Sequence, residues 1–176
     1  MTASFLTLSR PALLAAVVLG LVAVQPALAQ ALEGDGASAA AKAPVVFPGP
    51  PQDLLHVHIT AGGALQFFID RNSLSVEPGQ VVRYTLVAQV PGGPRNVTYE
   101  GINCAQRQWT LYALWSDDTK AWTAASSSDW QRIPENGATR IHATLYGDDL
   151  CKDKAVLGTP AAMAQRIQQG LRALPY

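Results

Sequence analysis

The fold of this chain is decided by the stretch VRYTLVAQV, residues 82–90. Apolar side chains alternate with more polar ones along it, so that Tyr84 and Leu86 fall on one side and Arg83 and Thr85 on the other. Because successive side chains of a strand point to opposite faces, the alternation predicts a strand with one core face and one wetter face. We therefore expect a sheet built outward from this strand.

Further strands are predicted before this stretch. Pro78 and Gly79 occupy the central positions that a type II turn favours, which predicts a tight turn directly before residue 82. Residues 55–59 and 65–69 alternate on either side of a Gly62-Gly63 turn and are predicted to form a hairpin. Residues 70–73, DRNS, carry side chains that bond their own backbone in tight turns, so a second turn is expected there.

Strands are also predicted after residue 90. A four-residue loop at residues 91–94 would place Thr85 opposite Glu100 and Arg83 diagonal to Glu100, with opposite charges on one exposed face. The strands expected beyond this loop are at residues 95–103, at residues 108–115, and in a shorter piece that starts at Trp122 and runs on around Trp130.

The C-terminal part changes to a helical period. Thr159 is the predicted N-cap and Pro160 the first residue of a helix whose apolar residues recur at every fourth position from Met163 to Leu171. Residues 138–150 suit a helix or a strand, and we favour a helix. The predicted class is α+β: an antiparallel, mostly meander sheet of about five to seven strands with one or two C-terminal helices packed on one face.

The N-terminal end has the pattern of a cleavable export signal. Its apolar run, residues 12–24, is shorter than the roughly 20 residues that span a bilayer, and residues 27–29, Ala-Leu-Ala, have the small-x-small pattern of a cleavage site. We predict a signal peptide at residues 1–29, a flexible Ala/Gly/Pro-rich leader at 30–52 and a single domain at 53–176, with no transmembrane segment after cleavage.

Charge and cysteine content narrow the class further. The chain has 13 basic and 13 acidic side chains without a basic stripe, so nucleic acid is not an expected partner. Its two cysteines, Cys104 and Cys151, lie in the predicted exported part, where a disulfide between them is expected. The alternative is a redox-active or metal-binding pair, but neither cysteine lies in a CxxC motif.

Catalytic and metal-binding motifs are weak. The sequence has no GxSxG motif, no phosphate-binding glycine loop and no free cysteine once the pair has formed, and no cofactor is predicted. His56 and His58 are candidate metal ligands because residues two apart on a strand share a face, but two ligands do not make a site. A calcium site at Asp148, Asp149 and Asp153 lacks the alternating oxygens and the glycine of a calcium loop.

Several runs of residues between positions 46 and 170 form a combined pattern. They are FFID (67–70), SLSV (73–76), VRYTLV (82–87), RNVTYEGINC (95–104), LYAL (111–114), Trp130, and His142 to Tyr146 with Cys151 following. The pattern resembles the CNP1-like family, the relatives of a cryptic neisserial protein. The resemblance implies a secreted, periplasmic bacterial protein of a family without an established activity. Residues 147–150 depart from it, since we expect more aromatic or basic character there.

A weaker likeness runs to surface-adhesin protein E and similar small exported sheets, and it favours a binding module over an enzyme. We predict a non-enzymatic periplasmic or cell-envelope module that binds an envelope protein, a peptide or a small ligand. The candidate binding residues share the wetter face of the sheet: Arg83, Thr85, Thr98 and Glu100.

Two alternatives stay open: a histidine-dependent metal protein or enzyme built on His56 and His58 with His142, and a scaffold in which Arg83 and Glu100 form a structural ion pair. Trp122 and Trp130, set among polar residues, are further candidates for a binding surface.

Overall fold

The structure is a computed structural model, and the residues it describes are 45–59, 64–134 and 140–170. The predicted signal peptide, residues 1–29, lies outside the described residues, as do residues 30–44 of the predicted leader and the predicted turn at Gly62-Gly63. Within the described ranges, no helix is long and apolar enough to cross a membrane.

In the described ranges, seven antiparallel strands form one sheet. They are β1 (Leu54–Val57), β2 (Gln66–Glu77), β3 (Val81–Gln89), β4 (Arg95–Asn103), β5 (Gln108–Ser116), β6 (Ala121–Ala124) and β7 (Gln131–Arg132). The first six lie in chain order across the sheet, and β7 pairs with the end of β5 that β6 leaves uncovered. The predicted meander is therefore confirmed.

β2 is one long strand with a bulge where the sequence predicts a tight turn. Its pairing with β3 shifts between Asp70 and Ser75. The Ser73 hydroxyl donates a hydrogen bond to the Asp70 carbonyl oxygen at 2.7 Å and accepts one from the backbone N–H of Thr85 at 2.7 Å. Because the Ser73 side chain supplies the partner that the bulge removes from the ladder, the chain stays extended. The turn predicted at residues 70–73 was wrong.

The pairing of β3 with β4 differs from the predicted register by one residue. Gln89 pairs with Arg95, so the connecting loop has five residues instead of four, and Tyr84 lies opposite Glu100. Since side chains alternate along a strand, this shift moves Glu100 to the face of Tyr84 and away from the face of Arg83. The predicted register, and the pairing of charges on one face that it implied, were wrong.

Among the described residues, two helical segments cover one face of the sheet. The first is α1 (Arg140–Thr144), which continues directly into a π-helix (Leu145–Leu150), and the second is α2 (Pro160–Gly170). A small hairpin, β8 (Cys151–Lys152) and β9 (Ala155–Val156), connects them. The helix favoured for residues 138–150 is confirmed over residues 140–150, and the C-terminal helix packed on the sheet confirms the α+β class.

α2 begins as the sequence predicts. The Thr159 hydroxyl oxygen accepts a hydrogen bond from the backbone N–H of Ala162 at 3.3 Å, which satisfies one of the free donors of the first turn. Met163 and Ile167 are buried, as the four-residue spacing predicts, whereas Leu171 lies outside the described residues.

The main hydrophobic core lies between the sheet and the helical layer. β3 contributes Val82, Tyr84 and Leu86 to it, which confirms the predicted core face of this strand. The helical layer contributes Ile141, Leu145, Leu150, Met163, Ala164 and Ile167. Each such large apolar side chain stabilises the fold by about 1.5–3 kcal/mol when fully buried, so this cluster holds the two layers together.

The second face of the sheet is covered by residues 45–52, which we call the N-terminal strap. The Phe47 ring meets the Tyr99 ring edge-on, with centroids 6.3 Å apart. The indole N–H of Trp122 donates a hydrogen bond to the carbonyl oxygen of Pro48 at 2.8 Å. This part of the predicted flexible leader therefore makes specific contacts with the sheet.

The strap side of β3 is not the wetter face that its alternation predicts. Arg83 is 6% exposed and Thr85 is fully buried. The Arg83 guanidinium lies over the ring of Tyr112, which belongs to the aromatic cluster beneath the strap. Alternation reports only the relative polarity of two faces, and here a second layer buries the more polar one.

Cys104 and Cys151 form a disulfide with a Cα–Cα distance of 5.5 Å. Cys104 directly follows β4, and Cys151 directly follows the π-helix. The predicted disulfide is therefore present, and it joins the sheet to the helical layer that covers it.

Candidate functional site

A pocket of about 250 Å³ opens at the edge of the helical layer. Its lining comes from both layers of the molecule: Val57, His58, Thr144, Asp148, Asp149, Ile167 and Gly170. The volume lies a little below the roughly 300–1,000 Å³ of pockets for drug-sized ligands. It therefore suits a small molecule or a single side chain of a partner.

The π-helix brings Asp149 to this pocket. Leu145, Asp149 and Leu150 are its buried residues, spaced at i, i+4 and i+5. In an α-helix the fifth residue along would point well away from the first, but the wider turn of a π-helix lets all three face inward. Because π-helices are rare and frequently lie at functional sites, this segment marks the pocket as a candidate site.

The carboxyl group of Asp149 is electrostatically strained. Asp149 is only 7% exposed, and burial raises the pKa of its carboxyl group to about 7. The nearby charge of Asp148 raises this pKa further, while Arg166 on α2 lowers it. A carboxyl group in a pocket that changes charge near neutral pH is typical of functional sites, although structural networks produce such groups too.

No hydrogen bond reaches the Asp149 carboxyl group from any residue that the structure describes. Its oxygens are not among the enclosed, unpartnered polar atoms of the interior. The carboxyl group therefore faces the pocket opening. Because these oxygens are accessible from the pocket, water or a ligand can supply the hydrogen bonds that the described residues do not.

The walls of the pocket differ in character. Val57 and Ile167, which are 3% and 2% exposed, form an apolar floor that the core holds in place. Asp148 and Thr144 contribute polar groups to the lining, and Asp148 is exposed. A ligand with a short hydrocarbon part and a polar end would match both walls.

The two candidate metal-binding histidines have different surroundings. His58 lines the pocket, whereas the His56 ring packs against the Phe68 ring with centroids 5.1 Å apart. Partial burial lowers the pKa of His56, and the neighbouring His58 lowers it further. Among the described residues, no group of three His, Cys, Asp or Glu side chains is arranged to hold a metal ion, and this includes Asp148, Asp149 and Asp153.

The four residues of the predicted binding face are not brought together. Arg83 and Thr85 lie on the strap side of the sheet, whereas Thr98 and Glu100 lie on the side of the helical layer. Arg83, Thr85 and Glu100 are buried. An intact fold therefore does not offer them as one accessible surface.

Arg83 takes part in packing on the strap side. Its guanidinium carbon lies 5.2 Å from the centre of the Tyr112 ring, and its Nη1 atom lies 3.9 Å from a carboxylate oxygen of Glu77. Tyr112 lies in turn against Gly101, where an added Cβ would come within 2.9 Å of the ring. Glycine is thus required at position 101 because the aromatic ring approaches the backbone closely.

Glu100 is the centre of a buried polar network. Its carboxylate accepts hydrogen bonds from the Tyr84 hydroxyl at 3.1 Å and the Thr98 hydroxyl at 2.8 Å, and it lies 2.9 Å from Nε2 of His142. The His142 ring stacks on Trp109 with centroids 4.0 Å apart. Burial raises the pKa of Tyr84, and the neighbouring Glu100 raises it further. This network joins the sheet to α1 and gives the buried His142 side chain a structural role.

The tryptophan candidates also separate. Trp122 belongs to the aromatic cluster beneath the strap, where it contacts Phe47 and Tyr99. Trp130 lies before β7 and is half-buried. Of the two, Trp122 therefore already has an intramolecular partner.

Sequence reasoning did not identify the pocket. The sequence favours helix-end or loop carboxylates over calcium ligands for Asp148 and Asp149, and Thr144 and Ile167 carry no recognisable motif. One signal was available, because two acidic residues close to the C-terminal end of a helix lie where the helix dipole disfavours them. Their position in the stretch that departs from the expected family pattern was a second signal.

Comparison with known proteins identifies a family. The model of the CNP1-like family matches residues 37–168 of this chain. No curated protein and no protein of known structure gives a significant match. The matched range includes both cysteines and all pocket residues except Gly170.

Proposed function

This chain belongs to the CNP1-like family, and we propose that it is an exported, non-enzymatic binding module of the bacterial periplasm or cell envelope. The binding site is the pocket at the π-helix, where it takes a small ligand or a side chain of an envelope protein or peptide. The observation that carries the proposal is the carboxyl group of Asp149, which is 7% exposed, has no hydrogen-bond partner in the described part of the chain, and faces a pocket of about 250 Å³.

Export is supported by two features. The disulfide between Cys104 and Cys151 suits an oxidising compartment. The apolar run of residues 12–24 followed by Ala-Leu-Ala suits a signal peptide. N-terminal sequencing of protein recovered from the periplasm tests this part directly, because cleavage after Ala29 would leave Gln30 as the first residue.

Binding is tested by NMR on the exported protein, with three probes of equal length: n-butylammonium chloride, 1-butanol and sodium butyrate. At least one of them is expected to shift the amide signals of residues around the pocket. The variant Gly170→Leu should weaken this binding, since an added Cβ at position 170 meets nothing within 4 Å and the longer side chain can cover the opening.

Gly49→Leu is the matched control, because an added Cβ at Gly49 on the strap also meets nothing within 4 Å. This variant should bind the probes as the unmodified protein does. If none of the three probes perturbs the pocket signals, or if both variants weaken binding equally, the proposed binding site is wrong.

One observation favours a second candidate function. His58 and Asp149 line the same pocket, and an imidazole beside a carboxyl group whose pKa lies near 7 can serve acid–base or metal chemistry. Elemental analysis of protein purified without chelator separates a metal protein from a binding module. A metal content below about a tenth of an equivalent would remove the metal-dependent alternative.

A further inference from the structure

The pocket has a strongly negative character that the proposed function leaves unexplained. Two carboxyl groups, Asp148 and Asp149, line it side by side. Both belong to the last turn of the helical run that ends at Leu150, where the helix dipole adds partial negative charge. The fold therefore places negative charge where burial, the neighbouring acid and the helix end all oppose it.

Within the pocket, little positive charge offsets these carboxyl groups. Arg166 is close enough to lower the pKa of Asp149, but it is exposed and makes no hydrogen bond with that carboxyl group. Among the lining residues that the structure describes, His58 is the one basic residue. A buried carboxylate is stable only when it is paired or hydrogen-bonded, so a positively charged donor is the partner that this site lacks.

The apolar floor adds a second requirement. Val57 and Ile167 lie at the base of the pocket and can cover a short hydrocarbon chain. A hydrated metal ion has no apolar group to pack against this surface, and the described residues offer no set of three metal ligands. A four-carbon chain with a charged end fits a pocket of about 250 Å³.

We propose that the pocket binds a primary alkylammonium group, with the ammonium held between the carboxylates of Asp148 and Asp149 and the alkyl chain lying on Val57 and Ile167. This inference rests on the proposed function, whose pocket it assigns to one ligand class. The same chemistry is available from a free alkylamine and from a lysine side chain of a partner protein. An ammonium group supplies up to three donors, which suits two carboxylates and the nearby Thr144 hydroxyl.

Binding of an ammonium group should depend on pH. The ligand requires ionised Asp149, whose pKa is about 7 in the free protein. Lowering the pH from 8 to 6 reduces the fraction of the free protein in which this carboxyl group is ionised by about tenfold. The apparent dissociation constant is therefore expected to rise by about tenfold. Asp148, Arg166 and His58 are the other charged or titratable groups near Asp149.

The experiment is a calorimetric and NMR titration with n-butylammonium chloride at pH 8 and pH 6, compared with 1-butanol and sodium butyrate. Butylammonium should bind at least about tenfold more tightly than either of the others at pH 8. A peptide amide with one central lysine, and the same peptide with norleucine in its place, distinguishes a side chain from a free amine. Tighter binding of the lysine peptide than of butylammonium identifies a protein partner, and the reverse identifies a small amine; both support the proposal.

Variants identify the carboxyl group responsible. Asp149→Asn keeps the shape of the side chain and should weaken butylammonium binding by at least about tenfold, with loss of the dependence on pH. Asp153→Asn, which changes an exposed acid in the β8–β9 turn, is the matched control and should bind as the unmodified protein does. Asp148→Asn, at an exposed position, tests the second carboxylate independently of any folding defect at position 149.

The outcomes separate this inference from the proposed function. If 1-butanol or butyrate binds the pocket as tightly as butylammonium, or if Asp149→Asn and Asp148→Asn both leave binding unchanged, the ammonium assignment is wrong while the binding site stands. If none of the probes binds, the proposed function itself fails.

Discussion

At the scale of single residues, Asp149 links stability to pH. Its pKa is raised to about 7, above the value of about 3.9 expected in the unfolded chain. The native state therefore binds more protons than the unfolded state between these two values, so this carboxyl group makes the free energy of unfolding fall as the pH rises from about 4 to about 7. The cost is largest above pH 7, where folding must bury the charge.

Asp149→Asn should remove this cost. We expect the variant to unfold with a free energy about 1–3 kcal/mol higher than that of the unmodified protein at pH 8, and with little difference between the two at pH 4. Urea denaturation at both pH values measures the effect, and Asp153→Asn serves as the control. If the variant is instead less stable than the unmodified protein at pH 8 but not at pH 4, the native fold favours the ionised carboxyl group.

Unlike the carboxyl group of Asp149, the Glu100 carboxylate has hydrogen-bond partners within the fold. Glu100→Ala should lower the free energy of unfolding by about 3 kcal/mol or more, because it leaves the buried hydroxyl of Tyr84 and the buried ring of His142 without their acceptor. Glu100→Gln should cost less, since its amide oxygen still accepts one bond. Asp129→Ala, at an exposed carboxylate, should change stability by less than about 0.5 kcal/mol.

Chemical denaturation measures these three variants. A Glu100→Ala protein of unchanged stability that has lost an envelope partner would instead support the binding face predicted from the sequence.

At the scale of elements, the N-terminal strap depends on Trp122. Trp122→Phe keeps an aromatic ring but removes the N–H that donates to the Pro48 carbonyl oxygen. We expect a loss of about 1 kcal/mol in stability and faster hydrogen exchange at the backbone amides of the strap. Trp130→Phe, which alters a tryptophan before β7, should leave strap exchange unchanged. Equal exchange in both variants would mean that the strap is held without this bond.

The elements also show where sequence reasoning succeeds and fails. Alternation in residues 82–90 correctly predicts β3 and its core face, and Thr159 with Pro160 correctly predicts the start of α2, because these signals are local. The β3–β4 register depends on whether the loop has four or five residues. The sequence Pro-Gly-Gly-Pro at residues 91–94 is compatible with either length. One residue of error was enough to place Glu100 on the wrong face.

The candidate site was harder to predict for a related reason. Asp149 is buried and lines the pocket because the chain winds as a π-helix and Ile167 of α2 lines the same pocket. Both features depend on contacts between residues far apart in the sequence. The residue types themselves, two adjacent acids and a threonine, are ordinary for a surface loop. Composition and spacing could therefore predict a helix over residues 138–150, but not which of its sides is buried.

At the scale of the whole molecule, the disulfide stabilises the arrangement of the two layers. Cys104 and Cys151 are 47 positions apart in the chain, and on the chain-entropy model such a link contributes about 4 kcal/mol. The double variant Cys104→Ser, Cys151→Ser should lose about this much in urea denaturation and become insensitive to reductant. A loss below about 1 kcal/mol would show that packing of the core alone holds the helical layer on the sheet.

The place of Cys151 in the chain has a consequence for biogenesis. It follows Leu150 directly, so the disulfide anchors the end of the π-helix two positions beyond Asp149. A newly made chain in a reducing compartment lacks this anchor, and we expect its pocket to be incompletely formed. On the proposed export route, thiol oxidation outside the cytoplasm would complete the pocket, and the reduced precursor would not yet bind the proposed ammonium ligand.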